Sequence, residues 1–325
     1  MHSAIHHSFG EPAEVLATGD SPLPQPGTGQ VRIRTILSPI HNHDLWTVRG
    51  QYGYKPDLPA IGGSEAVGLV DALGPDVTGV SVGQRVAVAS VHGTWAEFFL
   101  APAAGLVPVP DEIADEAAAQ LIAMPFSAIS LLDFLNVDSG DWVIQNTANG
   151  TVGKTLAMLA DARGVNVVNL VRRDAGVKEL AALGIANAVS TAAAGWKDQV
   201  RKIVGTAPIK AGVDSIGGTA SRDLIELLGE NGVLVSFGTM GGEPMQIPSG
   251  EVIFKQAVVK GFWGSKVSAA MPVQKRISLI GELLKMVQTG ALKLPTEAIF
   301  PLDQISDAVR ASLAPGKSGK VLLRP

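Results

Sequence analysis

The segment Ala148-Asn149-Gly150-Thr151-Val152-Gly153 has the residue types and spacing of a turn that binds a dinucleotide. Gly150 and Gly153 stand at the second and third glycine positions of the dinucleotide fingerprint, and Ala148 replaces the first. A pyrophosphate needs a tight turn, a close backbone approach and the positive end of a helix dipole. Small residues also occur at such turns for packing reasons, but the surrounding strand-helix-strand pattern favours a nucleotide site. The predicted contacts are Asn149, Gly150, Thr151, Val152 and Gly153.

The end of the next predicted strand indicates which dinucleotide binds. Arg172 and Arg173 stand about twenty residues past the glycines, where an acidic residue favours NAD and arginine favours the extra phosphate of NADP. Two permanently charged, planar donors suit a phosphate dianion, so NADPH is the predicted cofactor. The alternative is a pair of solvated surface arginines, one of them neutralised by Asp174. Phe237 and Gly238, at the end of a later strand, complete the expected cofactor set.

Tyrosine and histidine side chains near residue 50 are the other candidates for chemistry. The two tyrosines of the chain, Tyr52 and Tyr54, lie in one glycine-bearing loop. A phenol can stabilise an enolate or deliver a proton, whereas a tyrosine that only covers an apolar edge is the alternative. His41 and His43 have the spacing of a metal-binding pair, but no third ligand is evident, and turn capping or loop packing is the competing interpretation.

The elements that must position these residues change in character along the chain. The first 120 or so residues predict short strands at 30–37, 65–72, 84–89 and 95–100. From residue 122, apolar runs alternate with helical stretches, which is typical of a parallel sheet covered on both faces. The predicted strands are 142–147, 166–171, 186–190, 212–216, 233–237 and 258–262. The predicted helices are 154–163, 177–183, 221–228 and 273–288, and a final strand is predicted at 320–323.

Composition excludes several classes of function. The 325 residues carry a net charge of -4 and no basic stripe, which argues against nucleic acid as a partner. The chain has no cysteine, so disulfides, thiolate nucleophiles, iron-sulfur clusters and cysteine-bound zinc are excluded. No window reaches the length of apolar sequence that spans a bilayer, and the first residues have no signal-peptide pattern. A cytoplasmic enzyme without a membrane partner is therefore expected.

Several stretches together resemble the medium-chain dehydrogenase/reductase superfamily over essentially the whole chain. They are Glu65-Ala66-Val67-Gly68, the run 82–86 (Val-Gly-Gln-Arg-Val) and the nucleotide unit. The enoyl thioester reductases and the zinc-less quinone oxidoreductases are the most similar members, through residues 93–95, 143–149, 253–255 and 261–263. The resemblance implies an α/β fold with a Rossmann nucleotide-binding domain inserted in a GroES-like, mostly β catalytic domain. The expected bounds are 1–121 and 265–325 for the catalytic domain and 122–264 for the Rossmann domain.

The resemblance also implies a chemistry and a set of site residues. In zinc-dependent members, three side chains hold the metal at positions that carry His41, Ser64 and Met124 here, a poor zinc set. The implied reaction is NADPH-dependent reduction of an activated carbon-carbon double bond, most directly of a 2-enoyl thioester. Tyr52 is then the proton donor or enolate stabiliser, and Asn42 lies near the nicotinamide. Quinone or small-enone reduction is the alternative, and alcohol dehydrogenation at a non-standard metal site is the second.

Two further side chains and an oligomeric state follow from the same resemblance. Trp263 is expected to wall the substrate pocket, with a buried core aromatic as the competing interpretation. Lys320 is expected either to approach the cofactor or to be an ordinary surface lysine. A non-catalytic cofactor-binding protein is a further alternative. The superfamily implies a homodimer formed through the edge strands of the nucleotide domains.

Overall fold

The computed structural model describes residues 1–325, which form two compact units. One unit comprises Met1–Ala123 with Lys293–Pro325, and the other comprises Met124–Leu292. The strands are β1 His2–His6, β2 Leu16–Asp20, β3 Gln30–Pro39, β4 Ala60–Ile61, β5 Glu65–Leu73, β6 Arg85–Ala89, β7 Phe98–Pro102, β8 Val107–Pro108, β9 Trp142–Gln145, β10 Asn166–Val171, β11 Ala188–Ser190, β12 Ile209–Asp214, β13 Val233–Ser236, β14 Val258–Gly261, β15 Thr296–Pro301 and β16 Lys320–Arg324. The helices are α1 Pro12–Val15, α2 Asn42–Val48, α3 Asp115–Ala118, α4 Ala123–Leu135, α5 Thr151–Ala162, α6 Asp174–Ala182, α7 Trp196–Val204, α8 Gly218–Leu227, α9 Ser249–Lys255, α10 Gly264–Ala270, α11 Val273–Gln288 and α12 Ile305–Leu313.

The first unit is mostly β and mostly antiparallel. Its larger sheet has the order β15-β16-β3-β5-β6-β8, with β7 paired to β3, and a three-stranded sheet has the order β2-β1-β4. Val31, Ile33 and Leu37 on β3 are buried because that strand is at the centre of the sheet. The strand predicted at 95–100 begins instead at Phe98. Trp95 precedes this strand as a fully buried core residue, and its indole donates a hydrogen bond to the Pro39 carbonyl.

The second unit is a parallel sheet of six strands in the order β11-β10-β9-β12-β13-β14. This order reverses at β9, as in a Rossmann fold, and it confirms the predicted fold class. Five of the six residues of β10 are buried, which is expected for a parallel strand covered on both faces. The predicted bounds of β10 and α11 agree with the structure.

The tail of the chain differs from the predicted bounds. Residues 265–292, which were expected in the catalytic domain, belong to the nucleotide unit. Helix α11 buries Leu279, Leu283 and Met286. Its Glu282 accepts two hydrogen bonds from Arg163 at 2.9 Å, which links it to the end of α5. The chain returns to the first unit at Lys293. β15 and α12 in this part were not predicted, whereas β16 corresponds to the strand predicted at 320–323.

No helix combines the length and the apolar composition that crossing a bilayer would require.

Candidate active site

The turn between β9 and α5 presents helix amides to an anion. Gly150 is the N-cap of α5 in an extended conformation, and the helix begins at Thr151. The first amides of an α-helix have no intrahelical acceptor and lie at the positive end of its dipole. No acidic side chain stands in this first turn. The amides of Thr151, Val152 and Gly153 therefore lie at the positive end of the helix dipole with no acidic side chain in the same turn.

Gly153 allows α5 to pack closely on the turn. A β-carbon built there would lie 2.8 Å from the Ala148 Cα and 2.9 Å from the carbonyl oxygens of Thr147 and Ala148. These are backbone atoms, which cannot rotate away from a methyl group. Gln145, at the end of β9, donates from Nε2 to the Gly153 carbonyl at 2.8 Å. This glycine and this hydrogen bond together fix the start of α5 against the strand.

Asp214 holds the ends of the two central strands in place. Its Oδ1 accepts from Asn146 Nδ2 at 2.7 Å and from the amides of Ile216 and Gly217, and its Oδ2 accepts from Ser221 Oγ at 2.5 Å. Asp214 is fully buried. This network at the carboxyl edge of the sheet, where Rossmann ligands bind, was missed in the sequence. A carboxylate at the last position of a parallel strand was the available signal.

The residues predicted to select NADPH stand just beyond β10. Arg172 and Arg173 are exposed, and neither is in an ion pair. Asn149 is half-buried, and its Nδ2 lies 3.4 Å from Glu179 Oε2. The amides of Phe237 and Gly238 donate to the Asp214 carbonyl at 2.7 and 3.2 Å. Their main chain is therefore held at the carboxyl end of β12.

The first unit carries a buried group of ionisable side chains. His41 Nε2 lies 2.6 Å from Glu65 Oε2, and Glu65 Oε1 accepts from the amides of Ile122 and Ala123 at 2.7 Å each. Lys320 is 9% exposed, and its Nζ lies 3.4 Å from the Ile40 carbonyl oxygen. The sequence-based interpretation of Lys320 as a surface lysine is therefore wrong.

Burial dominates the protonation of this group. It raises the pKa of Glu65 to about 7, although the amides of Ile122 and Ala123 oppose that shift. It lowers the pKa of His41 well below the usual value and the pKa of Lys320 to about 8. His41 is therefore neutral at physiological pH. Its Nδ1 is buried without a hydrogen-bond partner.

A second set of polar side chains extends from the buried Asp44 towards the predicted tyrosine. Ser64 Oγ donates to Asp44 Oδ1 at 2.6 Å and lies 2.8 Å from His43 Nε2. The rings of His43 and Tyr52 have centroids 5.8 Å apart, and Tyr52 is 47% exposed. Asn42 is the exposed first residue of α2. The structure thus brings Tyr52 close to a histidine, a contact that the sequence did not reveal.

Comparison with known families identifies the fold and its relatives. The alcohol dehydrogenase GroES-like domain family matches residues 27–111, and the zinc-binding dehydrogenase family matches residues 151–281. The mitochondrial enoyl-[acyl-carrier-protein] reductase of Homo sapiens is 30% identical over 329 residues, covering 99% of this chain and 88% of the relative. The Arabidopsis thaliana enzyme of the same name is 31% identical over 323 residues, covering 97% and 85%.

This chain belongs to the medium-chain dehydrogenase/reductase superfamily. Solved structures agree with that assignment. A mycobacterial quinone oxidoreductase superposes with a TM-score of 0.86 at 28% identity, and both chains are covered in full. A mycobacterial protein solved in complex with NADPH gives a TM-score of 0.84, also at 28% identity and with full coverage of both chains. As a member of the superfamily, the protein is an oxidoreductase.

The zinc site of other medium-chain dehydrogenases does not fit the side chains of this one. His41 Nε2 is committed to Glu65, and the Ser64 hydroxyl is committed to Asp44 and His43. Met124, at the third position, offers only a thioether, which is a poor ligand for zinc. No group of three His, Cys, Asp or Glu side chains in the chain has metal-binding geometry. The His41-x-His43 pair is therefore engaged in hydrogen bonds, and we derive no step through a metal.

Trp263 is a large aromatic side chain that lies mostly in solvent. It follows β14, caps the start of α10 and is 69% exposed. The competing interpretation of a buried core aromatic is therefore wrong. The neighbouring Phe262 is the core residue, since it is 8% exposed and packs edge-on against Phe134 at 5.2 Å.

Proposed function

We propose that this oxidoreductase uses NADPH to reduce an activated carbon-carbon double bond, most directly that of a 2-enoyl thioester. The observation that carries the proposal is that His41 and Ser64, at the metal positions of the superfamily, are committed to other hydrogen bonds. Catalysis then depends on hydrogen-bond donors, and conjugate reduction needs only a donor for the enolate oxygen and a proton for the α-carbon. The enoyl reductases of Homo sapiens and Arabidopsis thaliana support this substrate class.

The nucleotide unit carries the cofactor in this proposal. The amides of Thr151, Val152 and Gly153 bind the pyrophosphate, and Asn149 flanks this turn. Arg172 and Arg173 bind the phosphate on the ribose, which their exposure and lack of ion pairs leave them free to do. The main chain of Phe237 and Gly238 lies along the nucleotide. NADPH, when bound, supplies the hydride for the β-carbon of the substrate.

The first unit and Trp263 act on the substrate. Tyr52 either donates the proton or stabilises the enolate by hydrogen bonding to the carbonyl oxygen. Asn42, exposed at the start of α2, holds the amide of the nicotinamide or the substrate carbonyl. Trp263 supplies an apolar wall for the acyl chain, because its exposed indole has no packing role of its own.

Quinone reduction is the second candidate, and the likeness to the mycobacterial quinone oxidoreductase favours it. Steady-state turnover of crotonyl-CoA, 9,10-phenanthrenequinone and a simple enone with NADPH distinguishes the two. The main proposal expects crotonyl-CoA to have the highest kcat/KM. A large preference for the quinone would reject the thioester as substrate. NADPH binding with no turnover of any acceptor would indicate a non-catalytic protein.

Tyr52 has a matched control in Tyr54, the other tyrosine of the same loop. Tyr54 stacks on His92 with ring centroids 4.1 Å apart, and the two tyrosines are 47% and 42% exposed. Tyr52→Phe should lower kcat for crotonyl-CoA about 100-fold, as expected for loss of a general acid or an enolate donor. Tyr54→Phe should leave kcat near the wild-type value. Equal effects of the two substitutions on kcat would contradict a catalytic role for Tyr52.

The NADPH preference depends on the two free arginines. Arg172→Ala should weaken NADPH binding about tenfold or more and leave NADH binding unchanged, because charged hydrogen bonds contribute roughly 1.5–3 kcal/mol. Arg222→Ala is the control, since that exposed arginine on α8 already contacts Gln246 at 2.7 Å. Fluorescence titration of the three proteins with NADPH and with NADH gives the six dissociation constants. Equal affinity of the wild type for NADPH and NADH would contradict the assignment.

We also propose a homodimer formed through β14. This strand is at the edge of the six-stranded sheet, and Val258 and Val259 on it are 50% and 39% exposed. An apolar edge strand presents unpaired main-chain groups to a second copy. Val258→Lys should give monomers in sedimentation velocity, whereas Val82→Lys, at a valine 62% exposed in the other unit, should not. A monomeric wild type would reject this interface.

Cytoplasmic location stays a prediction, and the named relatives are mitochondrial proteins. Fractionation of the source cells, followed by immunodetection, tests it.

A further inference from the structure

Three hydrogen-bonding groups in the first unit form a chain that ends at His43. Asp44 is buried, with its side chain 3% exposed, and its Oδ2 accepts from the His41 amide at 3.0 Å. Its Oδ1 accepts from Ser64 Oγ at 2.6 Å. Ser64 Oγ, having donated its only proton, must accept at its 2.8 Å contact with His43 Nε2. The direction of both hydrogen bonds is therefore fixed by the carboxylate.

This chain determines the tautomer of His43. Nε2 carries a hydrogen because Ser64 can only accept from it. The remaining nitrogen, Nδ1, lies outside this chain of hydrogen bonds. The His43 side chain is 27% exposed, whereas His41 Nδ1 is buried without a hydrogen-bond partner. The ring also lies beside Tyr52, with centroids 5.8 Å apart.

We propose that His43 is the proton donor of the reaction, with Asp44 and Ser64 as the residues that fix its tautomer and Tyr52 as the donor to the enolate oxygen. This inference rests on the proposed reduction of a double bond. Once the β-carbon has received the hydride, the new α-carbon–hydrogen bond forms from the Nδ1–H of the imidazolium. The electron pair of the broken N–H bond stays on Nδ1, and a solvent proton restores the imidazolium. One NADPH and one proton are consumed for each double bond.

The charged and titratable groups around His43 favour this role. Asp44 Oδ1 lies 3.5 Å from His43 Nε2, and the Ser64 hydroxyl also links the two side chains. His41 stacks on the ring at 5.0 Å, and its own partner is Glu65. Lys320 is the buried cation that acts on Glu65 and Asp44. His92 also interacts electrostatically with Asp44, but it stacks on Tyr54 and lies outside the hydrogen-bonded chain.

The test compares His43→Gln with His92→Gln, using crotonyl-CoA and 9,10-phenanthrenequinone as acceptors. Quinone reduction places its protons on oxygen, which solvent can supply, so it does not need a carbon acid donor. His43→Gln should lower kcat for crotonyl-CoA about 100-fold, with a much smaller effect on the quinone. His92→Gln should change neither. An unaltered kcat for His43→Gln with crotonyl-CoA would overturn the proposal.

A second measurement does not depend on turnover. Nitrogen-15 NMR of histidine-labelled wild-type protein should show His43 as the Nε2–H tautomer, and Ser64→Ala should lose this preference while Ser64→Thr keeps it. An Nδ1–H tautomer in the wild type would overturn the proposal. A wild type that binds NADPH and reduces quinone but no enoyl thioester rejects the proposed substrate and, with it, the role of His43. Loss of crotonyl-CoA turnover in Tyr52→Phe alone, with His43→Gln fully active, rejects only His43.

Discussion

Replacing Gly153 with alanine tests whether the start of α5 must pack directly on the preceding turn. Alanine is the better helix former by about 1 kcal/mol, so a helical glycine with free space around it gains stability on this change. Gly281, in α11 of the same unit, is such a position, because no atom lies within 4 Å of a β-carbon built there. It is the matched control for Gly153.

The expected cost follows from the distances at Gly153. The added β-carbon would meet three backbone atoms at 2.8–2.9 Å, so the first turn of α5 must move by roughly half an ångström to reach ordinary contact. Overpacking of this kind costs about 1–3 kcal/mol. The two alanine variants should therefore differ in unfolding free energy by about that amount, with Gly281→Ala the more stable. The displaced amides should also weaken NADPH binding about tenfold in Gly153→Ala only.

Thermal unfolding followed by circular dichroism measures the first effect, since 1 kcal/mol shifts the Tm of a unit of this size by roughly 2–4 °C. Fluorescence titration with NADPH measures the second. Equal Tm and equal NADPH affinity for Gly153→Ala and Gly281→Ala would refute the packing argument. A lower Tm for Gly153→Ala with unchanged NADPH affinity would support the packing argument and reject the proposed phosphate site.

Three further predictions concern side chains of the site. The folded state lowers the pKa of Lys320 to about 8, so between that pH and about 10.5 the unfolded chain binds the extra proton and stability rises with pH. The unfolding free energy of the wild type minus that of Lys320→Met should therefore increase by up to about 3 kcal/mol over this range, and a flat difference would contradict it. Glu65→Gln should lower the free energy of unfolding, measured by chemical denaturation, by about 2–3 kcal/mol, because one of the buried partners of Glu65 stays unpaired. Glu112→Gln, at an exposed position, should change this free energy little. Trp263→Ala should raise KM for crotonyl-CoA about tenfold with unchanged NADPH affinity. An unchanged KM would contradict the proposal that Trp263 lines the substrate pocket.

Local sequence patterns determined much of the nucleotide unit. The bounds of β10 and α11 could be predicted because a short, mostly apolar run favours a buried strand and a long amphipathic stretch favours a helix. The turn at Gly150 and Gly153 could be placed because its glycines follow a strand directly. The fold class followed from the order of such elements along the chain, and the family followed from the resemblance of several sequence stretches to medium-chain dehydrogenase/reductases.

Only the tertiary structure decided which distant side chains share an environment. The sequence around Lys320 does not indicate burial. Lys320 is buried because β16 pairs with β3. Trp263 became exposed although its neighbour Phe262 is buried. The chain from Asp44 through Ser64 to His43 joins α2 to the residue before β5, a contact fixed by packing and not by spacing. Hydrogen bonds and burial depend on where elements meet in space, whereas the sequence specifies directly only what each element does locally.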